Sequence, residues 1–258
     1  MHRVVVTAAS LLASASFAFA DCSLKVGAKA SFTSVDTLQE NLSARGGKHL
    51  EKDEFETEKQ FHARTSKLNK DLRKEIYLVE VKNPHAQPTY EAGEQRFKIS
   101  QDVWYPLFFS FNENVTSTGH KLLFESRDKP VSSYEAANAF GAATRVSIVD
   151  RVDYSIFDRP AARMDEPTWK TDYIEYRDRG IYLNMPGDKA RALNGKLRFA
   201  VEFSPKAPLV IEEKSVSTPT FKYPTQYRTT MHLFFGDLRC AVITDEGGTV
   251  LRNVPVAY

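Results

Sequence analysis

Residues 226–252 read QYRTTMHLFFGDLRCAVITDEGGTVLR, and this stretch decides the fold. Apolar and polar side chains alternate on either side of Gly236-Asp237, which is expected to break the run, and residues 245–248, DEGG, form a turn. Alternation with a period of two around a Gly-containing turn is typical of a β-hairpin with one buried face. The stretch therefore predicts a strand, a bend, a second strand, a turn and a third strand.

Similar alternation recurs along the chain and predicts about ten strands. The clearest further runs are 75–81, 144–158 and 196–204, and a looser run is 55–63. Polar and proline-bearing loops, rather than helical crossovers, separate the strands, and this spacing favours antiparallel sheets. We therefore predict an all-β fold of mainly antiparallel β-sandwich type.

Two or three short helices are expected between these strands. A capping-box pattern, Ser followed by Glu three residues later, begins the segment 132–140. The segment 184–193 has Asn184 as its cap and an early proline, and 34–45 fits either a short helix or a linker. The basic run 67–74 is interpreted as a solvated loop between strands.

The first 20 residues have the organisation of an export signal. Arg3 supplies positive charge, an uncharged apolar run follows, and the small residues that end at Ala20 fit a cleavage site before Asp21. The alternatives are an uncleaved anchor and lipidation of Cys22. The run is short for a membrane span, and the acidic residue before Cys22 argues against lipidation. We expect a periplasmic or secreted bacterial protein.

Composition limits the classes of partner. The chain has 258 residues and a formal net charge of +2, so that 238 residues with a charge of +1 remain without the leader. This balance argues against nucleic acid as a partner, and no later stretch is long and apolar enough to cross a membrane. The length permits an N-terminal β-rich half, 21–128, and a C-terminal half, 129–258, or one continuous domain.

Cys22 and Cys240 are the two cysteines of the chain, and they lie near opposite ends of its mature part. In an oxidising compartment such a pair usually forms a disulfide. Cys240 shares strand parity with the apolar residues Leu238 and Val242, so it faces the predicted core. We expect a bond that ties the N-terminus to the C-terminal hairpin, and the alternative is two free or intermolecular thiols.

Familiar catalytic and cofactor signatures are absent from the sequence. It contains no G-x-S-x-G, H-E-x-x-H, G-x-x-x-x-G-K-[ST], G-x-G-x-x-G or C-x-x-C motif. The histidines are scattered without metal-ligand spacing. We therefore predict no metal site and no cofactor. An enzymatic activity is unsupported, although catalytic groups that only the fold brings together are invisible in a sequence.

One segment, 150–182, combines aromatic rings with charged side chains in a way that suits binding. Its predicted ligand- or partner-binding residues are Tyr154, Trp169, Tyr173, Tyr176 and Arg177. Flat rings, carboxylates and guanidinium groups can stack on and hydrogen-bond to a sugar or a peptide, and aromatic and Arg residues often anchor protein interfaces. The alternative is a surface loop whose rings pack on the sheet while its charges stay solvated.

These patterns predict a non-enzymatic protein with a binding or envelope-assembly role, whose partner is a protein or a glycan of the envelope. One alternative is a hydrolase of envelope polysaccharide or peptide that uses carboxylates from 150–178. Another is a periplasmic inhibitor or immunity-type protein that contacts its target through the same segment.

We predict signal cleavage between Ala20 and Asp21. N-terminal sequencing of the exported protein should begin at Asp21, because small residues before the cut are what a signal peptidase recognises. A mature form that retains Met1, or one that carries lipid on Cys22, would contradict the expected location.

Overall fold

The computed structural model describes residues 22–50, 52–82, 87–104, 107–111, 117–137, 141–158, 168–169 and 180–257. Its three α-helices are α1 (Val35–Leu50), α2 (Glu58–Leu72) and α3 (Gly187–Leu193). Its strands are β1 (Tyr77–Glu80), β2 (Thr89–Glu91), β3 (Arg96–Ser100), β4 (Leu107–Phe111), β5 (Ser117–Ala137), β6 (Ala143–Asp158), β7 (Thr168–Trp169), β8 (Gly180–Asn184), β9 (Arg198–Val216), β10 (Thr225–Thr244) and β11 (Val250–Ala257). The fold is mostly β with three short helices, which confirms the predicted class.

Eight of these strands form one large sheet. Its path runs β1-β9-β10-β6-β5-β4, and β11 pairs with the second half of β10 and with β7. The described pairs are antiparallel except for β6 and β10, which run parallel from Ser147 opposite Thr225 to Phe157 opposite Phe235. β5 and β6 form one long hairpin and β9 and β10 another. Because the pairing between the hairpins is parallel, their turns lie at the same end.

A three-stranded sheet, β2-β3-β8, and the first two helices cover one face of the large sheet. Leu38 of α1, Phe97 of β3 and Ile243 of β10 belong to one buried apolar cluster. Trp104, in the 3₁₀ turn after β3, is fully buried, and its indole N–H donates to the carbonyl of Ala200 at 2.8 Å. Two packed β layers of this kind are the sandwich-type arrangement that the alternating runs predicted.

The N-terminal segment covers the opposite face of the large sheet. The Sγ atoms of Cys22 and Cys240 are bonded, with 5.5 Å between the Cα atoms, as predicted. Beside them the buried carboxylate of Glu202 accepts hydrogen bonds from the backbone N–H of Ser23 at 2.9 Å, its hydroxyl at 2.7 Å, and the N–H of Leu24 at 3.2 Å. Because a buried carboxylate needs such donors, covalent and polar contacts together fix the segment.

β10 continues through Gly236-Asp237, so the predicted break in the strand is wrong. The register against β9 shifts between Phe234 and Gly236, which is a bulge rather than an end. A Cβ atom at residue 236 would lie 2.4 Å from the ring of Phe203 and 2.7 Å from the carbonyl oxygen of Ser204. Glycine therefore lets β9 approach closely while the strand goes on.

The helix predicted over 132–140 is also wrong. β5 extends to Ala137 and pairs with β6 as far as Ala143, and residues 138–140 lie outside the described part of the chain. A helix of two turns has little stability alone, whereas β6 offers a hydrogen-bonding partner along residues 132–137. The long-range pairing outweighs the local capping pattern.

The strand predicted over 55–63 and the loop predicted over 67–74 are wrong for one reason, since most of both segments belongs to α2. Thr57 caps this helix: its hydroxyl accepts from the N–H of Gln60 at 3.3 Å, and the Gln60 side chain accepts from the N–H of Thr57 at 2.9 Å. The Thr-x-x-Gln capping box is the sequence signal that the looser alternation concealed.

The other two helices lie close to where they were predicted. α1 follows Ser34, whose hydroxyl accepts from the N–H of Thr37 at 3.1 Å. α3 begins at Gly187 with Pro186 in the N-cap position. The predicted cap, Asn184, is instead the last residue of β8.

Several links join the two proposed halves of the chain. β5 passes without interruption through residues 128 and 129, where a boundary was suggested, and β1 of the first half pairs with β9 of the second. The Cys22–Cys240 bond adds a covalent connection. Both halves thus contribute strands to one sheet, and the number of domains stays a prediction.

Replacing Cys240 with Ser should lower the free energy of unfolding by about 2–5 kcal/mol, and Cys22→Ser should match it, because each change removes the same bond. The double variant should be no less stable than either single variant. Denaturant unfolding of the three proteins measures this. Alkylation of two thiols in the unreduced wild-type protein, seen by intact mass, would contradict the bond.

Candidate functional site

A cleft of about 210 Å³ opens between the start of α1 and the large sheet. Its apolar lining consists of Phe32, Val35, Val79 and Phe124. Its polar lining consists of Thr33, Ser34, Glu80, Lys82, Glu125, Arg127 and Arg198. An apolar surface with a few converging polar groups is the usual composition of a binding site.

The cleft lies at the end of β1, where this strand meets both β9 and β5 of the large sheet. The backbone N–H of Val81 donates to the carbonyl of Phe199 in β9, and the N–H of Lys82 donates to the carbonyl of Phe124 in β5, each at 2.7 Å. The N–H of Thr33 donates to the carbonyl of Leu78 at 2.8 Å, which fixes the entry into α1. Backbone bonds to β1 thus bring four separate chain segments together.

Arg198 and Glu80 form a two-pronged ion pair at one side of the cleft. The Nε and Nη2 atoms of Arg198 donate to the two carboxylate oxygens at 2.8 and 2.9 Å. The guanidinium carbon lies 4.2 Å from the centre of the Phe32 ring. The hydrogen bonds from Arg198 hold the pKa of Glu80 below its usual value. Fork geometry and ring stacking together fix the direction of both side chains.

Glu125 organises the other side of the cleft. This buried carboxylate lies 3.1 Å from the ammonium of Lys82 and 2.7 Å from Nε of Arg127. Arg127 also donates through Nη1 to Asp36 of α1 at 3.0 Å. Hydrogen bonds to Asp36 and Glu125 raise the pKa of Arg127 above its usual range. Each cation of the cleft is therefore already paired with a carboxylate.

Tyr154, which was predicted to bind a ligand, lies behind Arg127 and is buried. Its ring stacks on His232, with 5.2 Å between the ring centres and 13° between the planes, and the Arg127 guanidinium lies 5.2 Å from its centre. Burial raises the pKa of Tyr154 and lowers that of His232. Tyr154 thus packs against a residue of the cleft, and its predicted role in binding is untested.

The remaining predicted binding residues are untested. The backbone of Trp169 lies in β7 and pairs with Val256 of β11. Tyr173, Tyr176 and Arg177 lie outside the described residues. Their role in binding stays a prediction.

The carboxylates suggested for hydrolysis make separate contacts where they are described. Asp150 accepts from Nε of Arg228 at 2.6 Å, Asp153 accepts from a serine hydroxyl at 2.6 Å, and Asp158 lies 3.5 Å from the ammonium of Lys206. Asp150 and Asp153 point to opposite faces of β6, because side chains alternate along a strand. These two cannot form an acid–base pair, and the acidic residues of 165–178 lie outside the described chain.

Sequence reasoning missed every residue that lines the cleft. They come from 32–35, 79–82, 124–127 and 198, which only the tertiary fold brings together. The local signal was a pair of charged residues two positions apart at the end of an apolar strand, namely Glu80 with Lys82 and Glu125 with Arg127. Such charges usually mark a strand leaving the core, so the pattern alone would not have identified a site.

Protein-family models, curated proteins and solved structures contain no match to this chain. Within the described ranges, no group of three His, Cys, Asp or Glu side chains is arranged to hold a metal ion, and no helix has the length and apolar character needed to span a bilayer. Any assignment of function therefore depends on the chemistry of the cleft and of the surface.

Glu80→Gln should lower the free energy of unfolding by about 1 kcal/mol at pH 7. A carboxylate whose pKa is lowered on folding stabilises the protein above the ordinary Glu pKa and loses that contribution as the pH falls through the lowered value. The difference between variant and wild type should therefore shrink at about pH 3. Denaturant unfolding at both pH values measures this, with the exposed Glu40→Gln as control. A difference independent of pH would contradict the interpretation.

Proposed function

We propose that this chain is an exported, non-enzymatic binding protein of the cell envelope, and that the cleft beside α1 binds a neutral glycan. The leader-like first 20 residues and the Cys22–Cys240 bond support export. The observation that carries the ligand class is the internal pairing of the three cations and three carboxylates in and beside the cleft.

Charge balance separates the possible ligands. An anionic ligand would have to displace Glu80 from Arg198, or Glu125 from Arg127 and Lys82, and a cationic ligand would have to displace the cations. An uncharged polyhydroxyl ligand needs neither change. Its hydroxyl groups can donate to carboxylate oxygens and accept from N–H groups that the ion pairs leave available.

The shape of the cleft fits part of a sugar chain. Its volume of about 210 Å³ lies below the range of about 300–1,000 Å³ typical of sites that enclose a whole small molecule. Phe32 is partly exposed and gives an apolar surface for the C–H face of a sugar ring, whereas Phe124 is buried. We therefore expect one or two rings of a longer glycan to enter while the rest stays in solvent.

Calorimetric titration with neutral oligosaccharides, including N-acetylglucosamine oligomers and glucans, tests the proposal. Arg198→Lys keeps the charge but removes the fork on Glu80 and the flat contact with Phe32, so binding should weaken about tenfold. Arg151→Lys is the matched control. Arg151 makes the same two-pronged contact with Asp128, at 2.7 and 2.8 Å, and lies over the ring of Tyr227, away from the cleft.

Equal weakening by both substitutions would show that the loss is not specific to the cleft. Binding of charged peptides in place of neutral oligosaccharides, with the same dependence on Arg198, would overturn the ligand class and favour a protein partner.

A further inference from the structure

The two long hairpins extend past the core as a four-stranded arm, which comprises residues 128–137, 143–151 and 212–230. Among these residues only Val146 is buried. The part of β10 inside the arm is about 20 Å long at the usual rise of a strand. A protrusion without a core of its own brings its end within reach of a partner that the body of the protein does not touch.

Exposed apolar side chains concentrate on this arm. Of the nine large apolar residues that are exposed in the described chain, five belong to it: Val131, Tyr134, Val216, Phe221 and Tyr223. Phe221 is 48% exposed and Tyr223 is 66% exposed. Scattered surface apolar residues are ordinary, but a cluster at one end of a protein marks an interaction site.

The turn at the end of the β9–β10 hairpin has a fixed shape. The backbones of Thr220 and Tyr223 exchange two hydrogen bonds, each of 3.1 Å, so Phe221 and Lys222 form a two-residue loop. The carbonyl of Pro224 accepts from the N–H of Ser147 at 3.0 Å and ties the turn to β6. The exposed rings are therefore held in place before any partner arrives.

The turn combines two aromatic rings with a cation. The Lys222 ammonium lies 5.3 Å from the centre of the Tyr223 ring. Residues 129–137, 141–150 and 214–228, at the distal end of the arm, contain five basic and two acidic residues, and no acidic residue occurs between Glu213 and Asp237. Aromatic side chains next to Lys are enriched at the boundary between lipid headgroups and acyl chains, and basic residues are attracted to anionic headgroups.

The edges of the arm disfavour a second copy of the chain as the partner. The outer edge of β5 contains Pro130 and a register shift between Pro130 and Ser132, and the part of β9 inside the arm carries the charged residues Glu212, Glu213 and Lys214. Proline, bulges and charged side chains disfavour the addition of another strand at an edge. The exposed tip, and not an open strand edge, is therefore the available surface.

We propose that the turn Thr220–Tyr223 binds the surface of an anionic lipid bilayer. Phe221 and Tyr223 enter the boundary between headgroups and acyl chains, and Lys222 pairs with lipid phosphates. This inference is independent of the glycan cleft: it holds the protein at a membrane surface while the cleft faces its own ligand.

Flotation with vesicles of phosphatidylglycerol and phosphatidylcholine tests the aromatic contribution. The wild-type mature protein should float with the vesicles, and Phe221→Ser and Tyr223→Ser should each weaken the association about tenfold. Phe55→Ser is the control, because Phe55 is 87% exposed but lies before α2, outside the arm. Failure of the wild-type protein to float, or equal weakening by Phe55→Ser, would overturn the proposal.

Charge reversal tests the role of the lysine. Lys222→Glu should weaken association with the anionic vesicles, and the effect should fade on vesicles of phosphatidylcholine alone or in high salt. Lys189→Glu, at an exposed position of α3, should leave binding unchanged. Equal weakening by both reversals would show a response to net charge and would overturn the assignment to the turn.

Two further measurements separate this surface from the other possibilities. If the wild-type protein self-associates in sedimentation velocity and the turn variants do not, the tip is a contact between copies and the lipid proposal fails. Cooperative denaturant unfolding of the turn variants that matches the wild type shows that they are folded, so a loss of flotation alone bears on the lipid surface and not on the cleft.

Discussion

The pairing of β6 with β10 is the constraint on which the rest of the structure depends. It runs parallel over eleven residues and joins strands that are far apart in the sequence. On its other edge β10 pairs with β9, and beyond Phe235 its free edge is taken by β11. The β6–β10 pairing aligns the two hairpins with each other. As a result, both faces of the sheet are covered at its base, whereas neither face is covered in the arm.

The two ends are stabilised in different ways. At the base, apolar residues of both parities are buried, such as Phe234 on one face and Leu233 on the other. In the arm, backbone bonds and cross-strand ion pairs take over, including Asp150 with Arg228 and Asp128 with Arg151. Each exposed ion pair contributes little to stability, so the backbone hydrogen bonds between strands are the main stabilising interaction in the arm. A surface of this kind can present apolar groups because it does not need them for folding.

The sequence was sufficient for features that follow from alternating apolar and polar side chains, or from a choice between very few residues. The β class and the Cys22–Cys240 bond belong to this group, since two cysteines allow one intramolecular pairing. Sequence-based prediction failed where a residue far away in the sequence determines the local structure. At residues 132–137, pairing with β6 gives a strand despite a helix-capping pattern. At Gly236, the close approach of Phe203 on the next strand explains the glycine. The cleft could not be predicted from the sequence, because its residues come together only when the end of β1 bonds to both β9 and β5. Tyr154 was identified as a binding residue; it lies buried beside Arg127, and its role in binding stays a prediction.

The docking of residues 22–33 also constrains the order in which parts of the chain can assemble. Gly27 and Ala30 bond to Val250 and Gly248, and Cys22 bonds to Cys240, 218 positions further along the chain. Residues 22–33 therefore leave the ribosome well before the residues that hold them. Until then Glu202 has no donors from Ser23, and Leu78 and Val242 lack their cover. Assembly of this face therefore waits until residues 240–250 have been made, and a nascent chain stalled before residue 240 would expose this apolar face of the sheet to chaperones.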